Sequence, residues 1–151
     1  MVSGYVCIDA SVAAKWVLFE ELRSLARALY RDSIAKEMTI IGPPHMSTEV
    51  VNTIRRRVAR GFMTANHAEE LLGRFLQYQL TPAAPPGLHQ LALRVAEAYN
   101  RPGVYDSHYL ALAQIYECDF WTADQRLLNA LNGRLPFVRS LSDYQPAGST
   151  T

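Results

Sequence analysis

Cysteine is scarce in this chain: only Cys7 and Cys118 are present. Two are too few for a disulfide framework, and both lie in apolar surroundings, so buried free thiols in a reducing compartment are expected. No Cys/His spacing of the kind that ligates structural zinc occurs. An excess of one charge is missing too, since 15 Lys and Arg oppose 14 Asp and Glu. Bulk charge therefore does not mark a nucleic-acid binder, and any basic surface has to be local. No apolar run approaches the length of a membrane span. The N-terminus lacks a charged segment followed by a long apolar one, and Asp9 interrupts its short apolar stretch. Neither a signal peptide nor a membrane segment is expected, and the expected location is cytoplasmic. Internal repeats and low-complexity segments are also lacking.

What is present suits one compact domain. The 151 residues are 49% hydrophobic and 19% charged, enough for one full core and too short for two. The domain is expected over 1–144, with a small, polar, frayed tail over 145–151. Tyr5 to Ile8 is apolar on both faces, as a doubly covered parallel strand would be, and Asp9 stands at its carboxyl end. Ala10 to Val17 reads as a short helix, with Ser11 as a cap or ligand support. Leu22 to Ile34 carries a one-sided helical stripe. Met38 to Ile41 is a second strand, closed by Gly42, Pro43 and Pro44.

A helix is expected from Ser47, capped by Ser47 or Thr48, with Glu49 in its first turn. Val50, Val51, Ile54 and Val58 are expected to form its buried face. Glu49, Asn52, Thr53, Arg56 and Arg60 share the other. Gly61 ends it. Thr64 caps the next helix, with Ala68, Leu71, Leu72, Phe75 and Leu76 inward. Leu80 to Pro86 reads as an extended, Pro-rich loop. Gly87 to Tyr99 is helical, with Leu88, Leu91, Ala92, Val95 and Ala98 as its stripe. Tyr105 to Leu131 reads as helix, strand (Phe120 to Thr122) and helix, with Asp106 opening the first helix and Asp124 following the strand. A last strand is expected over Phe137 to Leu141.

Strands alternating with helices imply a three-layer α/β/α fold with a central parallel sheet. In such sheets the ligand site lies at the carboxyl ends of the strands. Asp9 and Asp124 follow strands, and Glu49 and Asp106 open helices that begin at the same edge. Four acids from distant parts of the sequence are thereby expected at one rim. Asp119 precedes its strand and is expected at the opposite rim. Crowded carboxylates repel one another, and buried unpaired charge is costly. No Lys or Arg is placed beside all four. A hard divalent cation, Mg²⁺ or Mn²⁺, prefers oxygen ligands and would relieve them. Such a site activates water and neutralises charge on a phosphoryl group, which favours phosphodiester hydrolysis. Ser11, Thr122 and Asn52 are the expected supports of these ligands.

CIDAS at the first strand, STEVVNTIRRR on the third helix, YDSHYLALA and WTADQRLL together resemble a PIN-domain protein, in particular the VapC family of ribonuclease toxins. The resemblance runs from Tyr5 to Tyr144 in the family's order. It implies that Asp9, Glu49, Asp106 and Asp124 match the family's acidic metal-binding and catalytic positions. It further implies a PIN-like fold, a Mg²⁺- or Mn²⁺-dependent endoribonuclease, a homodimer, and neutralisation by a VapB-type antitoxin. Ser107 departs from the family, standing where many relatives carry Ala.

Within the basic cluster Arg55, Arg56, Arg57 and Arg60, the side chains Arg56 and Arg60 share the side of Glu49. They are candidates for RNA backbone contacts, with Arg126 and Lys15 behind them. His108 is expected to be neutral packing or surface, and His45, His67 and His89 show no partner pattern. Trp16, Trp121, Tyr109 and Tyr116 are expected in the core rather than as base-stacking platforms. Part of the Val50–Leu76 apolar surface is expected to face a dimer mate or an antitoxin helix. The alternative reading is a non-catalytic RNA- or protein-binding module whose acids cap helices. A phosphatase or phospho-receiver is weaker, because no Lys stands at a strand end to support a phosphorylated Asp.

Overall fold

The structure is a computed structural model and describes residues 4–149. Five strands, β1 (Tyr5–Ile8), β2 (Thr39–Gly42), β3 (Thr81–Pro82), β4 (Phe120–Thr122) and β5 (Val138–Ser140), form one sheet in the order β3-β2-β1-β4-β5. Every pairing is parallel. Seven α-helices flank the sheet in a three-layer α/β/α arrangement: α1 (Ala10–Ala13), α2 (Arg23–Ala35), α3 (Met46–Ala59), α4 (Ala65–Phe75), α5 (Leu88–Ala98), α6 (Tyr105–Tyr116) and α7 (Gln125–Leu131). One-turn 3₁₀ segments follow α1 (Ala14–Trp16) and β5 (Leu141–Asp143). Among the described residues no helix is long and apolar enough to cross a membrane.

The centre of the sheet is buried on both faces. Val6, Cys7 and Ile8 are buried, as are Ile40, Ile41, Phe120 and Trp121 beside them. Parallel strands covered on both faces have no solvent side, so apolar residues run without alternation. Cys7 and Cys118 are both buried and free. From α6, Tyr109, Leu110, Leu112 and Ala113 are buried, and the Tyr109 ring stacks on Phe120 at 5.6 Å. Trp16, fully buried, anchors an aromatic group with Tyr30 and Tyr78, and its indole N–H donates to the Ala26 carbonyl at 3.1 Å.

Several expectations need correction. Helix α3 begins at Met46, not Ser47, and neither Ser47 nor Thr48 caps it. The Pro43–Pro44 turn delivers the chain early: the Met46 N–H donates to the Pro43 carbonyl at 3.0 Å. Met46 is then buried against Gly42, where an added Cβ would collide with the Met46 Cε. Between Leu80 and Pro86 lies β3, which pairs Thr81 with Ile41 and Pro82 with Gly42. An edge strand tolerates Pro82, which cannot donate a ladder bond. Val51, Leu76 and Ala98 are exposed rather than inward, and the helix stretch expected over Ala10 to Val17 tightens to 3₁₀ after Ala13.

The end of α3 follows the expected glycine logic. Gly61 adopts φ 79°, and the Phe62 and Gly61 N–H groups donate to the Arg57 and Val58 carbonyls, a Schellman closure. Thr64 caps α4 by accepting from the His67 N–H. Of the expected tail, residues 150–151 lie outside the described residues. The described part is tied back to α2: Asp32 accepts from the Tyr144 hydroxyl at 2.6 Å and from the Ala147 N–H at 2.9 Å.

Candidate active site

The strand order reverses direction between β1 and β4, since β2 and β3 lie to one side of β1 and β4 and β5 to the other. A crevice opens at the carboxyl ends of strands at such a switch point. Asp9 immediately follows β1 and Asp124 lies two residues past β4. The resulting cleft, about 230 Å³, is walled by Asp9, Glu49, Asp106 and Asp124 together with Ser11, Asn52, Thr53, Arg56 and Tyr109. All four acids expected at one rim therefore line one cleft. Asp119 does not: it lies exposed beside Arg139, 3.5 Å away.

Asp9 is the deepest of the four, 8% exposed. Its carboxylate accepts from Ser11 Oγ at 2.5 Å, from Thr122 Oγ1 at 2.5 Å and from the Val12 N–H at 3.3 Å. The last of these makes it the cap of α1. No cation pairs with it among the described residues. Burial raises its pKa to about 6, against the pull of the Ser11, Thr122 and Val12 hydrogen bonds, and the charge of Asp124 adds to the rise. Ser11 also holds the loop beyond β4, accepting from the Ala123 N–H at 2.9 Å, and Thr122 Oγ1 accepts from the Asp124 N–H at 3.0 Å. The two hydroxyls thus fix both sides of the switch point. Ser11 and Thr122 do touch a cleft acid; Asn52 lines the cleft without a hydrogen bond to one.

The other acids are also held. Asp124 caps α7, accepting from the Arg126 N–H at 3.0 Å and the Leu127 N–H at 3.3 Å. Glu49 accepts from the Tyr109 hydroxyl at 2.8 Å and stands 3.2 Å from His45 Nε2. Burial, opposed by Tyr109 and aided by the charge of Asp106, raises the Glu49 pKa. Burial, then His108, lowers that of His45. Asp106 does not cap α6, whose first residues follow an uncapped Val104; it pairs with Arg101 at 3.1 Å.

Sequence reasoning missed Tyr109, Arg101 and His45 as neighbours of the acids. Helical spacing held the signal for two of them: Tyr109 is one turn beyond Asp106, and His45 one turn before Glu49. Arg101 sits in a turn, where no period places it. His89, for which the sequence shows no partner pattern, and His108, expected as neutral packing or surface, hydrogen-bond through ring nitrogens 2.8 Å apart. Of the basic candidates only Arg56 lines the cleft. Lys15 is paired with Glu20 at 3.0 Å, and Arg57 also engages Glu20. Arg60 and Arg126 are exposed outside the lining.

The donor set fits a hard cation. Beside Arg56 the wall offers four carboxylates, three hydroxyls and an amide, oxygen ligands throughout, and the buried Asp9 carboxylate has hydrogen-bond donors but no cation partner among the described residues. Among the described residues no three His, Cys, Asp or Glu side chains form a ready-made cage.

The fold and cleft define an open, doubly wound parallel α/β domain with an acidic crevice at its switch point. No protein-family profile matches the chain, and no curated protein matches it in sequence. The fold is similar to that of the crystal structure of PAE2754 from Pyrobaculum aerophilum, with a TM-score of 0.65 over 91% of each chain and 18% identity.

Proposed function

We propose that this protein is a PIN-like, metal-dependent endoribonuclease of the VapC toxin type. The observation that carries the proposal is the convergence of Asp9, Glu49, Asp106 and Asp124 on one switch-point cleft, with Asp9 buried and without a cation. A bound Mg²⁺ or Mn²⁺ would polarise a water and offset charge on the phosphoryl oxygens. Asp9, Asp106, Asp124 and Glu49 are the residues that would hold it. Ser11 and Thr122 orient the Asp9 carboxylate, and Tyr109 orients Glu49. Arg56, on the cleft wall, meets the RNA backbone. A homodimer and a VapB-type antitoxin belong to the same reading.

Purified protein is expected to cleave RNA with Mg²⁺ or Mn²⁺ and to stop with EDTA. Asp9→Asn abolishes that activity; cleavage undiminished in this variant removes the site assignment.

A second reading has its own support. Asp124 caps a helix, Asp106 is paired with Arg101 and Glu49 is bonded to Tyr109, so each has a structural task. On that reading the domain is a non-catalytic RNA- or protein-binding module. Calorimetric titration with Mn²⁺ separates the two: the nuclease shows a site and the module shows none.

A further inference from the structure

The cleft has an aromatic shoulder that the acids do not use. Tyr105 precedes Asp106 at the start of α6 and is 67% exposed. Its ring meets His45 with centroids 5.5 Å apart and planes at 70°. His45 stands against Glu49 and packs perpendicular to the buried Tyr109 ring at 5.4 Å. A succession of rings therefore runs from the cleft wall outward, and its last member, Tyr105, is open to solvent.

A single exposed tyrosine is ordinary. This one is braced by a second ring that is itself fixed against a cleft acid, so part of its side-chain freedom is already spent. A prearranged ring loses less entropy when a ligand stacks on it. Unpaired nucleobases are the ligands that stack on exposed rings beside a phosphate-binding groove, and double-stranded RNA keeps its bases out of reach of such a ring.

We propose that Tyr105, braced by His45, is the stacking platform for one unpaired base of an RNA strand whose neighbouring phosphate lies at the acidic cleft. This inference rests on the ribonuclease reading and makes its substrate single-stranded. One base–aromatic stack is worth about five- to a hundredfold in affinity.

The test uses the full chain in EDTA and a single-stranded oligoribonucleotide carrying 2-aminopurine. Wild type and Tyr105→Phe are expected to bind it and quench its fluorescence. Tyr105→Ala is expected to bind at least about fivefold more weakly, without the quench. The same oligonucleotide annealed into a duplex is expected to bind more weakly to wild type. Cleavage is measured in parallel with Mn²⁺, where the Tyr105→Ala loss is expected chiefly in KM. If wild type cleaves RNA while Tyr105→Ala binds and quenches equally well, the platform is overturned and the nuclease reading stands. If wild type quenches through Tyr105 but cuts nothing, the platform stands and the nuclease reading fails. If wild type neither binds nor cuts RNA, both fail.

Discussion

Thr122 Oγ1 donates to Asp9 Oδ2 at 2.5 Å, joining the last residue of β4 to the first residue beyond β1. With Ser11 on the other oxygen and the Val12 N–H behind it, the carboxylate is fully directed yet not neutralised. The most buried acid of the cleft thus has three hydrogen-bond donors and, among the described residues, no cation partner.

Asp9 therefore makes metal-free stability depend on pH. Its folded pKa, about 6, exceeds the ordinary 3.8, so the folded state binds the proton more tightly. The contribution is full below about pH 4 and is lost as pH rises through about 6. The span corresponds to at most about 3 kcal/mol. Urea unfolding in EDTA should show Asp9→Asn gaining on wild type between pH 4 and pH 7. The gain should be on the order of 1–3 kcal/mol, on top of a pH-independent offset from the acceptor oxygen that Asn lacks. Mn²⁺ should narrow the difference at pH 7.

Tyr109→Phe leaves the buried ring in place and removes the donor to Glu49. A loss of about 1 kcal/mol is expected in chemical denaturation. RNA cleavage should fall about tenfold or more, as when the partner that orients a metal ligand is removed. Unchanged cleavage would mean that Glu49 needs no such partner.

Ser107 is buried in α6 and its hydroxyl has no hydrogen-bond partner among the described residues. Ser107→Ala removes an unsatisfied polar atom and supplies a better helix former, so a gain of about 1 kcal/mol is expected. A lower melting temperature for this variant would show that the hydroxyl is satisfied in solution.

Gly42→Ala places a methyl group against the buried Met46 side chain, and a cost of about 1–3 kcal/mol is expected from overpacking. Met46→Ala makes room. In a double-mutant cycle the two changes should couple by at least about 0.5 kcal/mol. Additive effects would place the strain elsewhere.

Arg56→Ala should weaken RNA binding in EDTA and reduce the slope of log affinity against log salt by about 1. Lys15→Ala, with its charge already engaged by Glu20, should leave that slope unchanged.

Much of this was legible in the residues because it follows from burial. An apolar run broken by Asp9 fixes β1, and the alternation of strands and helices sends Glu49, Asp106 and Asp124 to the same edge. The pieces that were not legible lack a periodic signal. Strand β3 has two residues, one of them Pro82, and is recognised by its register with β2. The Pro43–Pro44 turn moves the start of α3 ahead of its serine. Leu76 sits at helical spacing but falls at the C-cap of α4, where the chain turns out to solvent. Tyr109 was placed in the core by its spacing, which says nothing of where a buried phenol finds its acceptor. The Arg101–Asp106 pair depends on a turn whose shape no pattern encodes.

The Asp9–Thr122 contact spans 113 positions. During synthesis, a nascent chain that has emerged only through β3 holds Asp9 and Glu49 but neither Asp106 nor Asp124, nor the Thr122 hydroxyl. The crevice comes into existence late, when β4 docks beside β1 as one of the last long-range pairings. Any chemistry the cleft performs is thus withheld from the ribosome-bound fragment and switched on by the completion of the sheet.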